Sequence, residues 1–222
     1  MLPWLLTEKF LVIDFETTGL DPESDRIMQA GFLTIDGGEI SDSFTTYVDP
    51  ERDPEPGAFR VHKINSFILT DKPKFRDIAD RVIDMMKDRT LVGYNINKFD
   101  LPLLCAELKR CGKTPEYKNS LDVLTFVKSV DPCPDIFEKD KKVGFFKKQG
   151  LEKTCLRHNI PSFRAHDAGE DAKATWALLK RLVEKSPEHF DVTLECTISL
   201  QKKLSVYQEL WHMLYSEMRG RS

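Results

Sequence analysis

Four carboxylates and one imidazole, spread over three separated stretches, are the residues of this chain best suited to chemistry: Asp14 and Glu16 in LVIDFETTGL, Asp100 in GYNINKFDLPLL, and His166 and Asp171 in AHDAGEDA. Carboxylates that converge in an interior repel one another and need positive charge between them. Hard divalent cations supply it through oxygen ligands, and a pair of them is suited to cutting phosphodiester bonds. Side chains alternate in an extended segment, so Asp14 and Glu16 point to one side and Phe15 to the other. Gly19, just beyond, permits close approach of backbone to a ligand. Each stretch alone also has a plainer explanation: Asp14 as a turn cap, Asp100 and Asp171 as acids favoured in a first helical turn, His166 as a residue near a helix start.

The elements that must position these residues follow from patterning. Phe10 to Ile13 is a short apolar run rich in branched residues, a buried strand ending at Asp14. Ile27 to Ile35 is a second strand, and Asp36-Gly37-Gly38-Glu39 is a hairpin signal leading to a third, Ile40 to Val48. A proline-rich loop, Pro50 to Pro56, precedes a helix from about Asp71 to Lys87, with Phe75, Ile78, Val82, Ile83 and Met86 on one face. Thr90 to Tyr94 is a fourth strand, and Phe99 to Lys109 a helix with Pro102 in its first turns. Leu121 to Val130 mixes a strand end with a helix. Gln149 to Asn159 and Gly169 to Lys185 are helices, the second turning Ala172, Thr175, Trp176, Leu179 and Leu182 or Val183 inward. A last helix runs from about Val192 to Met218. Strands first, then strands alternating with helices, predict an α/β fold with a mixed sheet flanked by helices.

The chain has 222 residues, 41% hydrophobic and 31% charged, a profile that fits a globular protein with one domain and an extension and excludes a disordered or membrane-spanning one. No secretory or lipidation signal is visible, which predicts a cytoplasmic protein. The five cysteines (Cys105, Cys111, Cys133, Cys155, Cys196) form no C-x-x-C pair, so they are expected to be reduced and mostly buried rather than zinc ligands. A formal net charge of -3 excludes a global basic footprint, so any nucleic acid must bind at a local site.

Taken together the three stretches resemble the Exo I, Exo II and Exo III motifs of DEDDh-type 3′–5′ exonucleases, the superfamily of the DNA polymerase III epsilon subunit, RNase T and the Trex enzymes. Asp14-Phe15-Glu16-Thr17-Thr18-Gly19-Leu20 is similar to the D-x-E-T-T-G-L signature, Gly93-Tyr94-Asn95 with Phe99-Asp100 to the second motif, and His166-x-Ala168-x-x-Asp171-Ala172 to the third. Val61-His62-Lys63-Ile64 falls where epsilon-like members carry V-H-G-I. The resemblance covers roughly Phe10 to Glu184. It departs from the pattern in one extra residue between Asn95 and Phe99, Tyr94 for the usual histidine, Gln29 for a frequent glutamate, and Lys63 for glycine.

The resemblance implies a ribonuclease H-like fold with a five-stranded mixed sheet, an exonuclease domain over 1–185 and a C-terminal helical extension over 186–222. It implies two Mg²⁺ or Mn²⁺ ions: Asp14 bridging both, Glu16 and Asp171 completing the ion that holds the attacking water, Asp100 acting on the second, and His166 as general base. Thr17, Thr18, Gly19 and Leu20 would hold the 3′-terminal nucleotide of a single-stranded or frayed end, with Asn95, Phe99 and His166 lining the same pocket. The expected products are nucleoside 5′-monophosphates and the expected role resembles DNA proofreading or repair; RNA trimming and a non-catalytic binding module are the alternatives. Lys139 to Lys148, with Phe145 and Phe146 among lysines, could follow a strand or be a solvated loop. Leu200, Leu204, Tyr207, Trp211, Leu214 and Met218 recur at spacings of four and three, a stripe that would pack on its own domain or dock a polymerase or a second copy.

Overall fold

The computed structural model describes residues 2–130, 149–191 and 193–220, so the basic segment Lys139 to Lys148 lies outside the described residues. A short helix α1 (Trp4–Thr7) precedes β1 (Phe10–Thr17), β2 (Ile27–Asp36) and β3 (Glu39–Tyr47). Helices α2 (Pro56–His62), α3 (Ser66–Leu69) and α4 (Phe75–Met86) lead to β4 (Thr90–Gly93), α5 (Asp100–Arg110), β5 (Asn119–Asp122) and α6 (Val123–Val130). Then come α7 (Leu151–Arg157), α8 (Ala168–Lys185), a 3-10 turn at Pro187–His189 and α9 (Leu194–Gly220). The strands form one sheet in the order β3-β2-β1-β4-β5, antiparallel on the β2 side of β1 and parallel on the β4 side, which is the expected mixed five-stranded sheet. No helix among the described residues is long and apolar enough to cross a membrane.

Alternation along β1 divides the core. Phe10 and Val12 face a layer containing Trp176, Leu179 and Leu182 of α8, while Leu11, Ile13 and Phe15 face a layer with Ile78 and Val82 of α4 and Leu103 and Leu104 of α5. The strand expected to end at Asp14 continues to Thr17, because β2 pairs with it from Phe10↔Ile35 to Thr17↔Ile27. On the other side β4 pairs only from Phe10 to Val12. Asp14 and Glu16 thus lie where β1 outruns its parallel neighbour, on the face that α8 covers.

Two short helices, α2 and α3, were not legible, being seven and four residues long and too short to display a periodicity. Lys63, in the place of the resembled glycine, closes α2 with φ +61°, a left-handed conformation that glycine adopts at no cost. The four described cysteines are free, but only Cys155 is buried and Cys196 is exposed, which corrects the expectation of mostly buried thiols. Helix α9 also differs from its expected stripe. Leu194 and Ile198 join the α8-side core and Leu204 packs against it, whereas Tyr207 is 69% exposed. The side chains of Trp211, Leu214 and Met218 lie outside the described residues. Polar anchors join these apolar residues on the inward face: Gln201 bonds to β5 and Gln208 donates to the Thr125 carbonyl of α6.

Candidate active site

On the α8-facing side, residues of β1 and β2 oppose one another as Phe10↔Ile35, Val12↔Leu33, Asp14↔Gly31 and Glu16↔Gln29. One half of that surface is therefore apolar and the other is acidic, small and polar. The apolar half receives the body of α8, with the Phe10 and Trp176 rings 5.4 Å apart. The other half receives its N-terminus. A Cβ at Gly31 would overlap the Ala168 carbonyl, and Gln29 Oε1 accepts the Ala168 N–H at 3.2 Å. This docking brings Asp171, in the first turn of α8, onto the acids of β1. Gly31→Ala is expected to cost about 1–3 kcal/mol through overpacking against backbone that has no side-chain freedom to yield. The midpoint of thermal unfolding measures it, and an unchanged midpoint would show that α8 can back away freely.

The five residues converge. Ligand atoms of Glu16, His166 and Asp171 lie within 4.8 Å of one another, with His166 Nδ1 3.8 Å from Glu16 Oε1. Asp100, the first residue of α5, accepts the Phe15 N–H at 3.2 Å, and so sits against β1 between Asp14 and Glu16 in register. Asp14 feels the charges of Asp100, Asp171 and Glu16, although neither Asp14 nor Asp100 belongs to the tighter group of three. His166 is on the entry loop of α8, half exposed, with a left-handed backbone at φ +63° and its N–H donated to Asp171 Oδ2 at 3.0 Å. Such a conformation costs a non-glycine residue about 1–3 kcal/mol and persists only where its surroundings enforce it.

The electrostatics are those of acids without a counter-charge. Burial and then the charges of Asp171 and Asp167 push Glu16 up to about 8. Burial pushes Asp171 up to about 7, against the lowering effect of the His166 N–H, with Asp167, Glu152 and Glu170 adding to the rise. Asp14 and Asp100 are both held well above the usual carboxylate range, by burial first and neighbouring acids after it. Among the described residues no lysine or arginine pairs with any of the four. Buried hard oxygen donors lacking a cation on the protein are the donor set a divalent metal ion satisfies.

The expected nucleotide-holding residues are arranged differently from one another. Thr17, Thr18 and Gly19 are buried, and Leu20 is 80% exposed. Thr17 Oγ1 donates to the Gly19 carbonyl at 2.6 Å and Thr18 Oγ1 to Asp25 at 2.7 Å, so both hydroxyls are occupied. A Cβ at Gly19 would run into the Asp25 carboxylate. Asn95 has φ +67° in the turn after β4, and Phe99, partly exposed, precedes Asp100. Tyr94 turns elsewhere: its hydroxyl donates to the Gln149 carbonyl and meets Thr154 Oγ1 at 3.1 Å, tying β4 to α7.

Four residues around this site were given no role by sequence reasoning, although His62 was noted within its V-H-K-I segment. Asp25 organises the Thr18–Asp21 loop, taking the Asp21 N–H at 2.9 Å as well as the Thr18 hydroxyl. Asp167 caps α8 through the Glu170 N–H. His62 accepts the Ile64 N–H on Nδ1 at 3.0 Å, so Nε2 carries the proton and donates to the Thr17 carbonyl at 3.2 Å; burial holds its pKa below the ordinary value. Asp122 ends β5 after a single apolar residue, Leu121, and not after a run like the one before Asp14, so the local pattern did not mark it.

An exonuclease family model matches residues 11–179. The epsilon subunit of DNA polymerase III from Treponema pallidum is 30% identical over 175 residues, covering 78% of this chain and 76% of the relative. The 3′–5′ exonuclease DinG of Staphylococcus epidermidis is 27% identical over 212 residues, 95% of this chain but 22% of the relative. Among solved structures, E. coli exonuclease I in complex with single-stranded DNA, in a zinc-bound form, superposes with a TM-score of 0.69 at 23% identity, over 82% of this chain and 41% of that one. The chain thus spans most of one relative and less than half of the others. It belongs to the exonuclease family, hydrolases of the 3′–5′ exonuclease class that depend on divalent metal ions.

Proposed function

From membership of the exonuclease family, we propose that this chain removes nucleotides from the 3′ end of single-stranded or frayed DNA, releasing nucleoside 5′-monophosphates in a proofreading or repair role. The observation that carries the proposal is the convergence of Asp14, Glu16, Asp100 and Asp171 beside His166 where β1 outruns β4. DNA is favoured because the relatives include DNA polymerase subunits and the neighbouring fold has been seen with single-stranded DNA.

The four acids would hold two Mg²⁺ or Mn²⁺ ions. Bound there, the cations would acidify a water and offset the charge that builds on the scissile phosphate. His166, at the mouth of the site and 3.8 Å from Glu16, takes the proton of the attacking water. Asp171 orients it through the His166 N–H. The Gly19 and Leu20 N–H groups, which have no partner among the described residues, face the terminal nucleotide, and the exposed Leu20 side chain lies against its base. Thr17 and Thr18 act through backbone held by His62 and Asp25. Asn95 and Phe99 line the opposite side, Phe99 by stacking.

The catalytic unit of the proposal is residues 1–185, with 186–222 as an extension whose exposed Val206, Tyr207, Leu210 and Met213 suit a polymerase subunit or a second copy. Its place is the cytoplasm, where the free cysteines stay reduced.

The test is incubation of 3′-end-labelled DNA and RNA oligonucleotides, free or 3′-phosphate-blocked, with Mn²⁺. Loss of label from free-ended DNA alone is expected. Preferential loss from RNA would overturn the substrate, and no loss from either would leave a binding module. His166→Ala is expected to lower the rate about 10²–10⁴-fold while cation-induced stabilisation persists; an unchanged rate would remove His166 as the base.

A further inference from the structure

The turn that delivers Asp100 to the site is longer by one residue than the spacing its motif usually has, and a longer turn needs bracing. Asn95 to Phe99 is held from within by the Lys98 and Phe99 N–H groups, both donated to the Asn95 carbonyl at 3.1 Å, and by the Leu101 N–H on the Ile96 carbonyl. Ile96 is fully buried in the α5-side core. Two further backbone donors of the turn, those of Asn95 and Asn97, point at a single acid. Asp122, 4% exposed, takes the Asn95 N–H at 2.9 Å and the Asn97 N–H at 3.4 Å, and also the Leu124 N–H at 3.1 Å that starts α6.

Asp122 ends β5, one of the two edge strands of the sheet, whose outer side has no neighbouring strand among the described residues. An unpaired edge leaves backbone donors and acceptors free to slip or fray. Here the gap is filled by a side chain from α9. Gln201, 3% exposed, accepts the Asp122 N–H on Oε1 at 2.6 Å and donates from Nε2 to the Ser120 carbonyl at 3.1 Å. One carboxamide thus makes the pair of bonds that the N–H and C=O of one residue in a parallel sixth strand would make, on the carbonyl before Leu121 and the N–H after it. A second contact from α9 reaches the same turn: Glu209 pairs with Lys98 at 3.0 Å, though both are exposed and the pair is weak.

We propose that Gln201 is a positioning residue for the exonuclease site: by completing the outer edge of β5 it fixes Asp122, which fixes the Asn95–Phe99 turn and with it Asp100. The helical extension is then part of the catalytic architecture, joined to it by an amide that must both accept and donate. Ionised glutamate could accept but not donate, and leucine of similar size could do neither. The inference rests on the reading of Asp100 as a site residue.

The test compares Gln201→Leu with Gln208→Leu in the full chain. Both remove a polar anchor of α9, Gln201 buried and Gln208 partly buried, but Gln208 bonds to the Thr125 carbonyl and leads to α6 rather than to the turn. Supporting partners of a metal site typically change metal affinity or activity about 10–100-fold when removed. Gln201→Leu is therefore expected to lower kcat about tenfold or more with KM for a single-stranded oligonucleotide within about twofold, and to raise several-fold the Mn²⁺ concentration that half-maximally shifts the thermal midpoint. Amide exchange should quicken across residues 94–100. Gln208→Leu is expected to lower the midpoint without changing either response. If Gln201→Leu trims and titrates with Mn²⁺ like the wild type, or if both variants lose activity only as far as they unfold, the inference is overturned. Absence of trimming by the wild type would instead overturn the exonuclease reading, so the two failures are distinct. Should Gln201→Leu fail to fold, Gln201→Met, as long as glutamine but with neither the amide donor nor its acceptor, carries the same comparison; a wild-type kcat and Mn²⁺ response in that variant would likewise overturn the inference.

Discussion

Asp14→Asn is expected to abolish trimming while leaving the metal-free protein at least as stable as the wild type. The two effects have one cause. Asp14 is ringed by Asp100, Asp171 and Glu16 and is held well above the usual carboxylate range, so ionising it costs desolvation and repulsion. An amide of the same shape removes both costs in the empty site. It also removes the anionic oxygen that a divalent cation needs. Cations at such sites supply several kcal/mol of transition-state stabilisation, and each 1.4 kcal/mol or so is tenfold in rate, so a loss on the order of 10³-fold or more follows. The opposite signs make the experiment discriminating. Trimming assays and thermal melts at pH 8 on the same preparation decide it; an inactive variant that is also markedly less stable would point to a structural role for Asp14, and an active one would remove it from the site.

The second large effect is on stability itself. With the cation in excess at about 100 times its dissociation constant, binding contributes about 2.7 kcal/mol. For a chain of this size that is a rise of roughly 5–10 °C in the melting midpoint. Its pH dependence follows from Glu16, pushed up to about 8, and Asp171, pushed up to about 7. A carboxyl with a raised native pKa keeps its proton in the folded state while the unfolded chain has lost it. The stability it contributes is fully present below the ordinary carboxylate pKa and is lost as pH rises through about 7 and about 8. The metal-free protein should therefore grow less stable from mild acid to pH 8. The gain on adding Mg²⁺ or Mn²⁺ should grow over the same window, as fewer protons have to be displaced. Chelation should abolish trimming and the gain together. Metal-free stability that climbs from pH 5 to 8 would contradict the cluster of raised carboxyls.

Much of this was legible in the sequence because it is written in short-range pattern. The apolar run before Asp14 marks β1, the two-residue spacing puts Asp14 and Glu16 on one face, and the 3.6-residue period of Ala172, Thr175, Trp176 and Leu179 marks the buried side of α8. The three motif stretches, read together, identified the exonuclease family. Other features were not legible, for reasons that differ. Asp14 ends no strand, because β2 carries β1 on to Thr17. No local pattern shows that the hydroxyls of Thr17 and Thr18 are used inside their own loop, on the Gly19 carbonyl and the Asp25 carboxylate. The inward face of α9 includes Gln201 and Gln208 beside Leu194, Ile198 and Leu204, since Gln201 meets an open strand edge and Gln208 a carbonyl of α6, polar partners that no apolar stripe announces.

By itself, then, the sequence determined which residues are candidates for the chemistry, which elements bear them and to which family the chain belongs, since all of these depend on residue identity and spacing within a few turns or strand steps. Only the tertiary structure decided that the residues meet. The convergence of Asp171 with Glu16 depends on α8 seating its first turn on Gly31, secured by a bond between Gln29 and Ala168 that joins residues 139 positions apart. The position of Asp100 depends on Asp122 and Gln201, the latter 79 positions beyond the N–H it accepts. Contacts of that range arise from strand order and from the close approach of packed elements, and no local period encodes them.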